Sequence, residues 1–455
     1  MHRISITTLH NWEKQKKRKP LILRGARQVG KSTLVRQFAD AAGLRLVEIN
    51  FEKNLNLRPV FDTLDATRIV EAIEADIKSK IDPDNSLLFF DEIHACPQAI
   101  VALRYFYEDL PQFKVIAAGS LLEFALTDKK LSMPVGRVSY HNLGPLSFGE
   151  FLLAKGENFL FDRIKAYEFG QEWPATLHQH LQTAVRTFLM VGGMPEAVQA
   201  FVDGASDAEV RRLQQNLVAL YADDFSKYAT KTELAKLQTL YARMPQFIGK
   251  KIKFSQILPN ERSNTTANLL HLLEKAGIIH IIYHSDCVGI PLAAHADPQV
   301  GKVYWLDCGL LNQMQGLAWD DLRRNDALIT EGILAEQFVA QELLNPDESP
   351  LRPQLHYWLR EGKKGNAEVD FVIQKSTQII PIEVKSGKIG KIKSLLYMLG
   401  LRNLSAAIRV SSALPAYVSH SHKVTIESLE IEVKYNLFEC PPYLVGEIRR
   451  LNFPV

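Results

Sequence analysis

Leu21 to Ala39 reads LILRGARQVGKSTLVRQFA. A short apolar run, Leu21 to Leu23, leads into Gly25-Ala26-Arg27-Gln28-Val29-Gly30-Lys31-Ser32, and an amphipathic helical pattern follows directly. Strand, glycine-bounded loop and helix, spaced G-x-x-x-x-G-K-[ST], predict a phosphate-binding loop. The spacing has a physical reason. Gly25 and Gly30 let the backbone curl so that successive N–H groups point inward at phosphate oxygens. The positive end of the helix that starts near Lys31 adds to that field. Lys31 is expected to reach the β- and γ-phosphates of ATP and the Ser32 hydroxyl to sit on a magnesium ion, with Thr33 assisting. The plain alternative is a glycine turn before a helix; the flanking strand and helix argue against it.

With 455 residues the chain is too long for one core, and about three domains are expected. A net charge of +3 argues neither for nor against nucleic acid. Locally, Lys14, Lys16, Lys17, Arg18 and Lys19 form a basic run that is either a solvated face or a phosphate-backbone contact. The four cysteines, Cys96, Cys287, Cys308 and Cys440, form no C-x-x-C pair, which suits a reducing cytosol and excludes a disulfide framework or zinc site. The N-terminal stretch lacks the apolar core of a signal peptide, and no run of about 18 apolar residues is present, so a cytoplasmic protein without a membrane span is expected.

Leu44 to Glu52 alternates apolar and polar residues like a half-buried strand, and a helical stretch follows around Ile69 to Ile81. Leu87-Leu88-Phe89-Phe90-Asp91-Glu92 reads as a buried parallel strand ending in two acids, where open α/β sheets bind ligands. Asp91 is expected to hold the magnesium through water and Glu92 to orient the attacking water; a solvated acidic turn is the alternative. Val115 to Ser120 is a further buried strand. Ser120 falls where nucleotide hydrolases sense the γ-phosphate, or else caps the helix LLEFAL. Arg137 either projects into a neighbouring subunit's ATP as an arginine finger, implying a homo-oligomer, or makes a surface ion pair.

Five strands with crossovers predict a three-layer α/β domain. Its order of parts resembles the AAA+ ATPases. GARQVGKSTL, LLFFDEIH, AAGSLLEF, GRVSYHNLGPLSFGEF and GGMPEAV together resemble a prokaryotic ATPase family that joins an AAA-type domain to a C-terminal domain related to the restriction-endonuclease fold. The resemblance implies a P-loop AAA+ core over residues 1–145 and a helical lid over 146–230. Phe148 to Tyr228 is mostly helical by periodicity, with Pro195 just inside a helix start. The acids Asp223 and Asp224 are expected on a solvated helix face.

Phe254 to Ile282 reads as a short helix, a polar turn, a helix from about Asn264 to Lys275, then Gly277 and a β-rich run. This resembles a winged helix-turn-helix over 231–318. Glu261, Arg262, Asn264 and Thr265 would meet DNA, with Lys250, Lys251 and Lys253 on its backbone; a rigid joint between domains is the alternative.

In residues 319–455, Glu331 to Leu343 is amphipathic and Leu355 to Leu359 is a strand. Glu368-Val369-Asp370-Phe371-Val372-Ile373, a turn around Ser376, and Ile379 to Lys385 predict an antiparallel hairpin. Glu383 and Lys385 share a face by alternation. Glu336, Asp370, Glu383 and Lys385 resemble the PD-(D/E)XK nuclease signature. In that resemblance Asp370 and Glu383 hold Mg²⁺ beside a scissile phosphate and Lys385 steadies the developing charge. Glu368 shares the face of Asp370 and is a substitute for it, while the signature's proline–aspartate pair is absent, Val369 preceding Asp370. The expectation is a magnesium-dependent ATPase that controls a nuclease-like domain acting on DNA. The rival is a nucleotide-dependent switch whose C-terminal domain binds DNA or protein without cutting.

Overall fold

The computed structural model describes residues 1, 3–125, 134–320, 332–345, 353–362, 366–385, 392–426 and 429–453. Leu126 and Glu331, which belong to stretches quoted above, lie outside them.

The apolar run before the glycine loop forms β1 (Leu21–Arg24). Ile22 and Leu23 point to opposite faces and both are fully buried, so the strand is covered on two sides. Its neighbours are β2 (Arg45–Asn50), β3 (Ser86–Asp91), β4 (Lys114–Ala118) and β5 (Ser139–Asn142). All pair in parallel in the order β2-β3-β4-β1-β5. One core cluster containing Ile22, Leu88, Phe90 and Phe106 covers one face; another containing Leu23, Leu34, Phe89 and Ile116 covers the other. This is the three-layer arrangement expected of the first domain. Parallel pairing brings the carboxyl ends of β1, β3 and β4 to one edge, and the glycine loop, Asp91 and Ser120 meet there.

Helices occupy most of 148–243. Ala175–Val191 and Asp207–Asp223 are the longest, and Pro195 opens the helix Pro195–Val202 at its first turn. Ser147 and Ser206 each cap a helix in a reciprocal box with a glutamate three residues on.

The rest of the chain builds a second sheet. Its strands are β6 (Lys251–Ile252), β7 (Ile279–Ser285), β8 (Ala296–Trp305), β9 (His356–Arg360), β10 (Ala367–Lys375), β11 (Gln378–Val384), β12 (Ala406–Val410), β13 (Ala416–Ile426) and β14 (Leu429–Cys440). They run in the order β13-β14-β12-β11-β10-β9-β7-β8-β6. The β10–β11 hairpin is antiparallel through Ser376, which carries the positive φ of its turn, 51°.

The boundary expected at 318/319 does not separate two cores. β7 pairs in parallel with β9, so the strands expected for a winged helix continue the C-terminal sheet. The helix Ser263–Lys275 stands as expected, but Glu261 is engaged in an ion pair with Lys236 at 2.7 Å. Arg262 and Asn264 are exposed, whereas Lys251 is paired with Glu361 at 2.5 Å. In the basic run, Lys14, Lys16 and Lys17 are exposed, and Arg18 is tied to the carbonyls of Glu13 and Gln112. All four cysteines are free and buried. Among the described residues no helix is long and apolar enough to cross a membrane.

One core cluster runs from Leu34 beside the loop through Phe188 of the helical segment to Trp305 and Phe338 under the second sheet. Phe338 packs edge-on against Phe148 at 6.2 Å and Phe188 at 5.9 Å between ring centroids. The helical segment thus packs against both sheets through one continuous core.

Candidate functional site

The loop curls as its glycines dictate. Gly25 has φ 142°, and a Cβ there would lie 2.1 Å from the Leu143 carbonyl oxygen. Gly30, at φ 92°, caps the helix Lys31–Ala41. Arg3 braces the loop from behind: its guanidinium donates to the carbonyls of Val29 and Gly144 and pairs with Glu150 at 2.9 Å.

Lys31 is buried and donates to the Gly25 and Ala26 carbonyls at 2.9 and 2.7 Å. Burial lowers its pKa to about 8, against the pull of Glu92 and Asp91. The Ser32 hydroxyl donates to Asp91 at 3.1 Å, and the Asn50 amide donates to the same carboxylate at 3.2 Å. Burial, and then Glu92, raise the Asp91 pKa. A hydroxyl facing a carboxylate whose charge is poorly met, at the mouth of a phosphate loop, fits a magnesium ion between Ser32 and Asp91.

Glu92 follows with a left-handed backbone, φ 48°. Its carboxylate lies 3.2 Å from the His94 ring, and the Ser120 N–H donates to it at 3.3 Å. Burial pushes the Glu92 carboxyl up, but His94, Ser120 and Lys31 outweigh it and hold the pKa down at about 2. Glu92 is therefore ionised at neutral pH and positioned by two partners, as a water-orienting group must be.

Gly25 through Thr33, Asp91, Glu92 and Ser120 are thus brought to one edge. Arg137 is not among them: it pairs with Glu108 at 2.6 Å on an exposed surface. Asp224, expected to be solvated, is instead a partner of the loop. Its carboxylate holds Arg27 at 2.7 Å, and the neighbouring Tyr221 hydroxyl donates to the Arg27 carbonyl at 2.7 Å. Arg3, Asn50, His94, Tyr221 and Asp224 were missed because each reaches the loop from another element. No local spacing marks them.

The second group of acids also converges, but around a residue the sequence did not nominate. Lys302 on β8 is 1 % exposed, and its ammonium lies 2.5 Å from Glu368, 3.6 Å from Glu336 and 3.7 Å from Asp370. The Tyr304 hydroxyl donates to Glu336 at 3.1 Å, the Val384 N–H donates to Asp370 at 2.8 Å, and Lys385 pairs with Glu383 at 2.7 Å. Burial works against the Lys302 charge, yet Glu336, Asp370 and Glu368 hold its pKa above the ordinary value. Burial, then Asp370, raises those of Glu336 and Glu383. The Lys302 ammonium stands beside Asp370, while Glu383 keeps one buried oxygen, Oε2, without a hydrogen-bond partner; among the described residues no group of three His, Cys, Asp or Glu is arranged to hold a metal.

Residues 17–152 match the AAA domain family AAA_14. The parallel sheet, the glycine loop and this match make the N-terminal part an AAA-type P-loop ATPase domain. Residues 182–321 and 331–427 match two families, each described as a domain of unknown function (DUF8612 and DUF4143). The restriction-endonuclease relationship expected for the C-terminal part is not among these matches. A comparison with curated proteins gives no match.

Among solved structures, the chain is similar to the Walker-type ATPase PABY2304 of Pyrococcus abyssi, at 14% identity and TM-score 0.42, covering 68% of this chain and 94% of that one. It is similar to the RuvB Holliday junction branch migration motor of Thermotoga maritima at 16% identity and TM-score 0.29, covering 61% and 86%. AMPPCP-bound DnaA from Aquifex aeolicus matches at 12% identity and TM-score 0.25, covering 59% and 86%.

Proposed function

We propose that the chain binds and hydrolyses Mg²⁺-ATP at the edge of the first sheet and uses the nucleotide state to set the posture of the second sheet, which binds DNA or a protein without cutting it. The observation that carries the ATPase reading is the Ser32–Asp91 contact facing a loop that presents Lys31, with Glu92 held beside Ser120. In this reading the loop N–H groups and Lys31 bind the phosphates, Ser32 and Asp91 hold the ion, and Glu92 orients the water. The bound ion would neutralise phosphate charge.

The route to the second sheet runs through Asp307. Fully buried, it accepts from the N–H groups of Gly193 at 2.6 Å and Leu310 at 3.0 Å and lies 3.4 Å from the Gln341 amide. It thereby ties the turn before Pro195 to the helix Ile333–Leu344. The Phe148 N–H donates to Glu342 of that same helix at 2.9 Å.

A cutting domain is the second reading. It is favoured by the convergence of Glu336, Asp370, Glu383 and Lys385, and it requires Lys302 to withdraw. One assay set tests both. Phosphate release should depend on Mg²⁺ and vanish in Lys31→Ala; equal release by both proteins removes the ATPase reading. Plasmid and branched DNA should stay intact with Mg²⁺ or Mn²⁺ and ATP. Cutting by the wild type that is lost in Lys385→Ala replaces the binding reading with the nuclease.

A further inference from the structure

We infer that Arg27, carried on the phosphate loop itself, is the catalytic arginine of ATP hydrolysis, acting within one subunit and aimed by Asp224 of the helical segment. This rests on the ATPase reading above and adds a group to the same site.

The placement of the guanidinium carries the argument. Its Nη1 donates to Asp224 at 2.8 Å and its Nε to the Ser120 hydroxyl at 3.0 Å. Ser120 in turn meets Glu92 through both its N–H, at 3.3 Å, and its hydroxyl, at 3.5 Å. Arg27 therefore sits one residue away from the group that orients water. In the ATPase reading Glu92 orients the attacking water, and the Ser120 contact then sets Arg27 beside the terminal phosphate that water attacks.

The aim is built in. Asp224 presents both oxygens to Arg27, Lys227 backs Asp224 at 3.0 Å, and Tyr221 holds the Arg27 carbonyl. A two-pronged carboxylate fixes the plane of a guanidinium and leaves its other N–H groups free to face a phosphate. Arg137 is engaged by Glu108 at the surface, whereas Arg27 lies beside the Ser120–Glu92 pair.

In hydrolysis the water oxygen bonds to the γ-phosphorus as the bond to the β–γ bridging oxygen breaks. The electron pair leaves with ADP, and the water's protons pass to the phosphate product and solvent. Negative charge grows on the bridging and equatorial oxygens during this step, and a fixed guanidinium there lowers its energy. Because Asp224 belongs to the helical segment, the same contact lets that segment sense whether a terminal phosphate is present.

The test uses the full chain with Arg27→Ala, Arg27→Lys and Asp224→Asn. Affinity is read with a fluorescent mant-ATP probe, turnover by phosphate release, and transition-state binding by retention of ADP with aluminium fluoride. Arg27→Ala should lose about 100-fold or more in kcat and lose the aluminium fluoride complex, while mant-ATP affinity stays within about threefold. Arg27→Lys should keep part of the rate, and Asp224→Asn should lose only about tenfold, because it disturbs aim and leaves the charge. Should Arg27→Ala fail to fold, the Arg27→Lys and Asp224→Asn values decide. Wild-type turnover matched by Arg27→Ala overturns the role of Arg27 and leaves the ATPase reading standing. Equal losses in Arg27 and Asp224 variants, with parallel loss of mant-ATP affinity, reduce the pair to a tether and overturn it as well. A wild type that releases no phosphate removes the ATPase reading itself.

Discussion

In the first sheet, Asp91 and Glu92 end a buried strand and face a loop whose cations stand at its edge. In the second, Glu336, Glu368 and Asp370 gather in the same manner, and a buried ammonium from a distant strand already stands among them. The difference lies in how the charge is met. At the first site a hydroxyl and an amide face Asp91, an arrangement that the proposed function completes with a divalent ion and a polyphosphate. At the second, Lys302 supplies positive charge from within the chain to Glu336, Glu368 and Asp370, while Glu383 keeps a buried oxygen without a partner.

Three substitutions break this contrast, in falling order of effect. Lys31→Ala should abolish Mg²⁺-dependent phosphate release, with a loss of at least about 100-fold, while leaving the unfolding midpoint close to that of the wild type. Lys302→Met should leave the buried Asp370 and the partly buried Glu336 and Glu368 without their cation and destabilise the chain by about 4 kcal/mol, read by urea unfolding. Adding Mn²⁺ to that variant sharpens the comparison: recovery of the lost stability would show that the ammonium stands in for a divalent ion, and no recovery would show a site shaped for Lys302 alone. Asp307→Ala should cost about 3 kcal/mol, since it strands the Gly193 and Leu310 N–H groups in the interior. It should also uncouple nucleotide binding from hydrogen-exchange protection in the helix Ile333–Leu344.

The pH response separates the two sites as well. The pKa values of Glu336, Glu383 and Asp370 are raised in the fold, so the folded state holds more protons than the unfolded one above their ordinary values of 4.5, 4.5 and 3.8. Stability of the second sheet should therefore fall as pH climbs from there through neutrality. Glu92 runs the other way. With its pKa held down at about 2, its contribution is complete above 4.5 and is lost as pH falls through about 2. Hydrogen exchange followed from pH 5 to 8 should show protection dropping around β10 and β11. The smallest effect is at Arg137: replacing it with alanine removes an exposed pair with Glu108 and should leave turnover independent of protein concentration. Turnover that rises with concentration and disappears in that variant would give the arginine role to a neighbouring subunit.

Much of the first site was legible because its chemistry is local. The loop, Lys31 and Ser32 lie within eight residues, and Asp91 and Glu92 end a strand whose apolar run is unmistakable. The five strands of the first sheet and the β10–β11 hairpin also followed from short-range patterns. Long-range partners did not. Asp224 lies 197 residues from Arg27, and its adjacency to Asp223 on a helix reads as solvated until the helix packs on the loop. Lys302 is a lysine in a strand, where that side chain ordinarily faces water; only the pairing of β7 with β9 carries β8 beside the hairpin acids. The same pairing erased the boundary expected between a winged helix and a separate C-terminal domain. Helix and wing strands have a local signature, whereas the register that fuses them to another sheet has none.

The most direct test of the central claim is calorimetric titration of the full chain with ATP in magnesium buffer, beside the same titration of Lys31→Ala. The account predicts one site per chain, weakened when magnesium is chelated and abolished by the substitution. Heat of binding that survives Lys31→Ala unchanged, or none from the wild type, would contradict it.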